Sequence, residues 1–466
     1  MTGKRRRSEG EDGGESSTGR YPEHGETPAT VNRALPQKPL KNGPEADSYY
    51  RNLYAAEVDF AQLGRDDPDL GKQLRGNSLD FNNPQAVMQL TKSLLKRDFG
   101  LLVDLPDDRL CPPVPIRHNY ILWLKLLMDS SSYSPLGRKL TGLDIGTGAS
   151  CIYPLLGCTE RDWSFVATDV DIKSLEYARK NVQLNGLESR IRVLSRTVDD
   201  PMIPLEESSV GIDFTMSNPP FYESNEDLVS SAKSKSRRPY TACTGSASEM
   251  VVVGGETAFV GRILDESLTH RDRIQWYTSM FGKQSSCEAF IEKIRDKGIT
   301  NYAVTEFVQG SKTRRWALGW SFAQMRPSTE AARGVSGDKW KKLLPPIVDI
   351  PIISLQLSVG VGKVEAKIHE MMSSLELISW DWDKELLRGV GRAGENVWSR
   401  AFRRRKAREG ANSAHADTDL CAFGFEVLVS VKTTGMDVSC HWREGHDAVI
   451  FESFTGYLKT QLKSVV

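Results

Sequence analysis

The sequence predicts an α/β fold: a mostly parallel, doubly wound sheet of seven strands with the last one reversed, plus a smaller C-terminal α+β domain. Short apolar runs at 140–145, 165–170, 191–194, 212–216, 274–280, 302–308 and 316–322 alternate with amphipathic stretches of helical period. That is the pattern of buried strands joined by crossover helices. Only 309–315 separates the last two runs, too short for a parallel crossover, so the seventh strand turns back beside the sixth. Beyond a polar stretch at 325–345 with proline near each end, strands at 347–359 and 422–431 and helices at 363–375, 395–408 and 448–462 make the second unit.

Taken in order, residues 1–47 hold too few large apolar side chains to offset the entropy of ordering, and a disordered tail is expected. Its Lys4-Arg5-Arg6-Arg7 cluster reads as a nuclear import signal, an arm for RNA phosphate or a solvated charge run. The first domain spans 48–324. It opens on a helix at Asn83-Pro84, where Asn caps and Pro suits the first turn, and a second helix at 119–129 leads to the sheet. Residues 325–345 are expected as a linker and 346–466 as an RNA-binding accessory domain. A length of 466 residues accommodates this division, at roughly 150 residues per domain.

Lys+Arg and Asp+Glu both number 61, so bulk charge cannot hold a polyanion and any nucleic-acid site must be a local cluster. The 7 cysteines are dispersed with no CxxC pair, which argues against a disulfide framework or zinc ribbon and for a reducing compartment. Cys440, His441 and His446 lie close in sequence, but adjacent strand residues point to opposite faces and no fourth ligand is near, so no metal is expected. No apolar run approaches the roughly 18 residues of a membrane helix, and a soluble intracellular protein is expected.

Two segments carry chemistry. In Asp144-Ile145-Gly146-Thr147-Gly148-Ala149-Ser150 a strand runs into a glycine turn, whose glycines allow close approach of a ligand to the backbone. Asp169 ends the next strand, where an acidic residue can bind both ribose hydroxyls of a nucleoside cofactor. Position 151 is Cys, so the third glycine of a dinucleotide fingerprint is missing, which favours S-adenosylmethionine over NAD. After the fourth strand comes Ser217-Asn218-Pro219-Pro220-Phe221. An aromatic amine is a weak nucleophile because its lone pair is delocalised, and its hydrogens must be held while the nitrogen is aimed at the methyl carbon. Asn218 offers a side-chain oxygen, the rigid Pro219-Pro220 backbone a carbonyl, and Phe221 a ring face for a flat base. A Rossmann-like sheet with a final reversed strand is the architecture typical of class I S-adenosylmethionine-dependent methyltransferases.

The stretch from about residue 49 to 322 closely resembles the methyltransferase-like protein 16 family of RNA adenine-N6 methyltransferases, relatives of bacterial enzymes that methylate adenine in ribosomal RNA. The resemblance rests on FNNPQAVMQLTKSLLKRDFGL, VPIRHNYI, LDIGTGASCIYPLLG, SNPPF, RRP followed by TG and GGE, and TEFVQG with RRWALGWSF. It implies that Arg117, Gly146, Ser150, Asp169 and Asn218 touch or adjoin S-adenosylmethionine, with Thr197 a further contact. It also implies methylation of a flipped-out adenosine in structured RNA, U6 small nuclear RNA above others, and hence the nucleus, with the cytoplasm left open. Lys233, Lys235, Arg237 and Arg238, then Lys312, Arg314 and Arg315, emerge near the catalytic edge of the sheet and are expected on RNA. Arg400, Arg403, Arg404, Arg405, Lys406 and Arg408 gather on one helix of the second domain and are expected to grip RNA backbone. Two other enzyme readings stay open: a ribosomal RNA adenine-N6 methyltransferase, and a protein glutamine-N5 methyltransferase, whose NPPY pocket handles an amide in the same way. The basic clusters weigh against the second of these, and the intact glycine loop weighs against a catalytically idle RNA-binding protein.

Overall fold

The structure, a computed structural model, describes residues 44–206, 211–224, 245–309, 313–409 and 420–465. The folded chain begins earlier than composition suggests. Helix α1 (Pro44–Asn52) buries Ala46, Tyr49 and Tyr50, and its Asp47 ion-pairs with Lys125 and Arg161. In α2 (Pro84–Leu94) the Asn83 side chain accepts the Gln85 N–H and Pro84 occupies the first turn. Helix α3 (Val114–Ser130) starts ahead of the expected 119 because Pro115 suits its first turn.

The central sheet comprises β1 (Thr141–Ile145), β2 (Ser164–Asp169), β3 (Ile191–Ser195), β4 (Phe214–Ser217), β5 (Trp276–Phe281), β6 (Asn301–Gln309), β7 (Thr313–Ser321) and β8 (Arg333–Gly334), in the order β8-β6-β7-β5-β4-β1-β2-β3. As the short turn requires, β7 runs antiparallel to β6; it is also wedged antiparallel against β5. Helices α4 (Ile152–Glu160) and α5 (Ile172–Leu184) bury Leu155 and Ala178 in one apolar cluster. Helices α6 (Gly255–His270) and α7 (Gln284–Asp296) bury Ile263 and Phe290 in the other. In the register, Ile145 lies opposite both Thr168 and Ser217. The last residue of β1 is therefore level with the ends of β2 and β4, and everything that follows those three strands meets at one edge.

Residues 325–345 are not a free linker. Ser328 caps the helical turn Thr329–Ala332, β8 adds a parallel edge strand to β6, and Ala331, Ala332, Val335 and Trp340 are buried. The few apolar residues in a polar stretch are the ones that pack. Arg326 is buried as well: its Nε donates to the Gly445 carbonyl at 2.8 Å, its Nη1 to the Thr300 carbonyl at 3.0 Å, and its guanidinium lies 4.2 Å from the Trp442 ring centre.

That contact joins the first domain to a five-stranded antiparallel sheet of β9 (Asp349–Leu355), β10 (Ser379–Asp383), β11 (Arg388–Ala393), β12 (Phe423–Lys432) and β13 (Gly435–Glu444), in the order β9-β13-β12-β11-β10. Helices α8 (Val361–Ser373) and α10 (Ala448–Leu462) share its core with Phe425, Val427, Val438 and Cys440. His441, on the opposite face from Cys440, pairs with Asp349. Helix α9 (Arg400–Glu409) begins later than the expected 395.

Candidate active site

The glycine turn leaves β1 with Gly146 at φ +78 and Gly148 at φ +64, conformations that a Cβ would strain. The N–H groups of Gly146 and Thr147 both donate to the Thr168 carbonyl at 2.9 Å, and that of Gly148 donates to Asp169 Oδ2 at 2.8 Å. The helix following the turn starts only at Ile152, capped by Cys151 at φ 50, so these amides hold the turn to the end of β2. Asn181 on α5 braces the turn from behind, donating to the Ala149 carbonyl at 3.0 Å.

Asp169 thus anchors the glycine turn. Its Oδ1 takes the Asp171 N–H at 2.9 Å, and the residue is half-buried at the end of β2. Burial raises its carboxyl above the ordinary range. Asp144 is wholly buried, and burial pushes its carboxyl up to about 7. Thr147 lies close enough to offset part of that rise, yet among the described residues no hydrogen bond of normal geometry reaches either Asp144 oxygen, and Thr147 Oγ1 is likewise unpaired. Ser150 is buried beside them, while Thr197 is exposed beyond β3 with its N–H taken by Asp200 at 2.6 Å.

Arg117 projects from α3, donating to Tyr153 Oη at 2.7 Å and approaching Met280 Sδ at 3.4 Å. It is buried, and its charge offsets part of the rise that burial gives the nearby Asp144 carboxyl. Asn218 follows β4 with its Oδ1 buried and unpaired among the described residues, Pro219 is buried next to it, and Pro220 and Phe221 are half-buried. The Phe221 ring lies against Gly282, just past β5, where a Cβ would stand 2.7 Å from ring atom Cδ1. Arg315, on β7, places its guanidinium 5.0 Å from the ring centre.

Two residues that the sequence patterns do not mark hold this edge together. Glu256 accepts the Gly282 N–H at 2.6 Å and the Lys283 N–H at 3.2 Å, fixing the backbone under Phe221. Glu249 accepts the Leu110 N–H at 3.0 Å and the Ser246 N–H at 2.8 Å, bridging two loops beside Gly148. Burial raises both carboxyls. The GGE string contains Glu256, but nothing in it announces an acceptor for amides that lie 26 positions away.

Of the residues expected on RNA, Lys233, Lys235, Arg237, Arg238 and Lys312 lie outside the described residues, as does the Lys4–Arg7 cluster. Arg314 is exposed and paired with Glu306 at 2.8 Å. On α9, Arg405 pairs with Glu395 and Lys406 with Glu376, whereas Arg403 and Arg404 are exposed without an ion pair among the described residues.

Residues 45–324 match the family model described as RNA methyltransferase. The chain belongs to this family. A relative from Schizosaccharomyces pombe, the U6 small nuclear RNA (adenine-(43)-N(6))-methyltransferase, is 35% identical over 392 residues, covering 84% of this chain and 97% of the relative. The Homo sapiens RNA N(6)-adenosine-methyltransferase METTL16 is 42% identical over 284 residues, 58% of this chain and 50% of the relative. The chain therefore spans about half the length of that vertebrate relative. The crystal structure of the hMettl16 catalytic domain in complex with MAT2A 3′UTR hairpin 1 superposes with a TM-score of 0.54 at 40% identity, covering 58% of this chain and 94% of that one. S-adenosylmethionine is the methyl donor.

The site fits this donor. Asp144 and Thr147 keep buried oxygens unpaired at the glycine turn among the described residues, and the space a Cβ would fill at Gly146 is open within 4 Å. Gly146, Gly148, Ser150 and Asp169 would hold the nucleoside, and Asp144 and Arg117 the charged end. Asp169→Ala should weaken S-adenosylmethionine binding by about 1.5–3 kcal/mol, the range for a charged hydrogen bond. Since that change also frees Gly148, Asp169→Asn is the companion variant; calorimetry showing wild-type affinity for both would remove Asp169 from the ribose.

Proposed function

We propose that the chain transfers a methyl group from S-adenosylmethionine to N6 of an adenosine flipped out of structured RNA, with U6 small nuclear RNA as its substrate. The observation that carries this reading is the buried, unpaired Oδ1 of Asn218, level with the glycine turn and flanked by Phe221. A buried acceptor without a donor is costly unless a ligand supplies one. The S. pombe relative, matched over 97% of its length, supports U6 as the RNA.

S-adenosylmethionine supplies an electrophilic methyl group when bound. Asn218 Oδ1 accepts one N6 hydrogen and the Pro219 carbonyl the other, which points the nitrogen lone pair out of the base plane toward the donor. Phe221 gives the base a stacking surface, and Gly282, pinned by Glu256, fixes where that surface lies. No strong base is required, because the nitrogen becomes cationic as the methyl arrives and loses its proton afterwards. A glutamine amide would suit the same acceptors, but Arg315, a cation without an ion pair among the described residues, favours a polyanionic substrate. Incubating the protein with U6 RNA and mapping N6-methyladenosine by mass spectrometry tests the reading; RNA left unmethylated overturns it.

The second domain is read as an RNA module and the protein as nuclear, with Lys4–Arg7 open as an import signal or an arm for RNA phosphate. Truncation near residue 345 would strip Trp442 from Arg326, so charge removal is the cleaner test. Arg403→Gln with Arg404→Gln should flatten the slope of log affinity against log salt by about 0.7–0.9 for each phosphate that is no longer neutralised. An unchanged slope reassigns α9 to a protein partner or to plain solvation.

A further inference from the structure

Arg315 stands at the base pocket without an ion pair among the described residues. Its Nη1 donates to the Arg314 carbonyl at 2.8 Å, whereas neighbouring Arg314 has Glu306. Burial, and after it the nearby Arg117, depresses the proton affinity of the guanidinium, which marks a cation held where charge is poorly compensated. What it does touch is Phe221, at 5.0 Å from the ring centre. The Gly282 backbone already lies against the same ring. A planar guanidinium and a planar adenine use an aromatic face in the same way, so they compete for what remains of it.

The geometry points to an exchange: in the RNA-free protein the Arg315 guanidinium occupies the Phe221 face, and when the target adenine enters, Arg315 moves to a phosphate flanking the flipped nucleotide. This rests on the methylation reading and adds a residue-level account of how the base is admitted. A guanidinium binds phosphate with a geometry a ring face cannot match, and the phosphate supplies the missing anion. The flipped base and its own backbone are thereby captured together, and an RNA that offers phosphate without a flipped base leaves Arg315 on the ring.

The experiment uses the full-length protein and the U6 RNA whose methylated adenosine has been located with wild-type enzyme. Affinities are measured for RNAs in which the target nucleoside is intact or abasic, and each flanking phosphate in turn is native or replaced by an uncharged methylphosphonate. With the base present, neutralising the partner phosphate should weaken wild-type binding roughly tenfold or more, as for a charged hydrogen bond. The abasic RNA, and Arg315→Met with either RNA, should lose no more than about twofold, because the coupled partner is absent. Arg315→Lys, which keeps the charge, should restore part of the coupling and guards against misfolding of the Met variant. Equal losses in wild type and Arg315→Met overturn the phosphate contact, and equal losses with and without the base overturn the exchange. Either result with methylation intact leaves the proposed function standing; a protein that methylates no adenosine overturns both.

Discussion

Asn218→Ala should lower the methylation rate by a hundredfold to a thousandfold, about 2.7–4 kcal/mol of transition-state stabilisation, while RNA affinity stays close to wild type. The separation follows from where the residue sits. Asn218 contacts only the reacting amine in the proposed arrangement, whereas RNA affinity comes from phosphate contacts made elsewhere. Its Oδ1 is unpaired in the free protein, so removing it deletes an unsatisfied acceptor and should leave the melting temperature unchanged or slightly raised. Single-turnover rates with saturating RNA and donor decide the matter. A variant within threefold of wild type would take Asn218 out of the mechanism, and one that loses rate and melting temperature together would make it a structural residue.

Much of this site is legible in the sequence because each element stands at the C-terminal end of a strand that the apolar pattern already marks. The glycine turn, Asp169 and Asn218 follow β1, β2 and β4, and parallel register brings such ends to one edge in any doubly wound sheet. What the pattern cannot carry is contact between distant positions. Glu249 and Glu256 act by accepting backbone N–H groups, which leaves no residue-type signature at the donor. Asp169's hold on Gly148 is of the same kind. Strand β11 does not show in the apolar pattern because its buried face is Gly389, Gly391 and Ala393, the glycines making room for Trp380 and Phe425. Its partner β10 does alternate Trp380 and Trp382 with polar residues and is readable once that short run is taken as a strand. Composition likewise conceals 325–345, where the average is polar and the few buried side chains decide the packing. The reversed β7 is readable from the length of one turn, but its insertion between β5 and β6 is a matter of pairing that turn length does not settle.

The largest stability effect is expected at Glu160, far from any reacting atom. This buried carboxylate ends α4, accepts from His118 Nδ1 at 2.7 Å and from Lys125 Nζ at 3.1 Å, and so ties α4 to α3. Lys125 also pairs with Asp47 at 2.9 Å, and His118 Nε2 faces the Tyr50 carbonyl at 2.9 Å, which fastens α1 to the same cluster. Burial alone would raise the Glu160 carboxyl, but His118 and Lys125 outweigh it and hold it below its ordinary value of 4.5. Removing one member of such a buried group strands the others, and Glu160→Ala should cost about 3–5 kcal/mol. The sign with pH follows from the lowered carboxyl: its contribution is complete above about 4.5 and fades as pH falls through the lower folded value. The gap in stability between wild type and Glu160→Gln should therefore be widest near neutrality and close below pH 4.5. The same helices carry Arg117 and its acceptor Tyr153, so loosening the cluster also loosens one wall of the site. A Glu160→Gln protein that melts like wild type at neutral pH would mean that apolar packing alone holds α1, α3 and α4 together, and that the charges beneath them are merely tolerated.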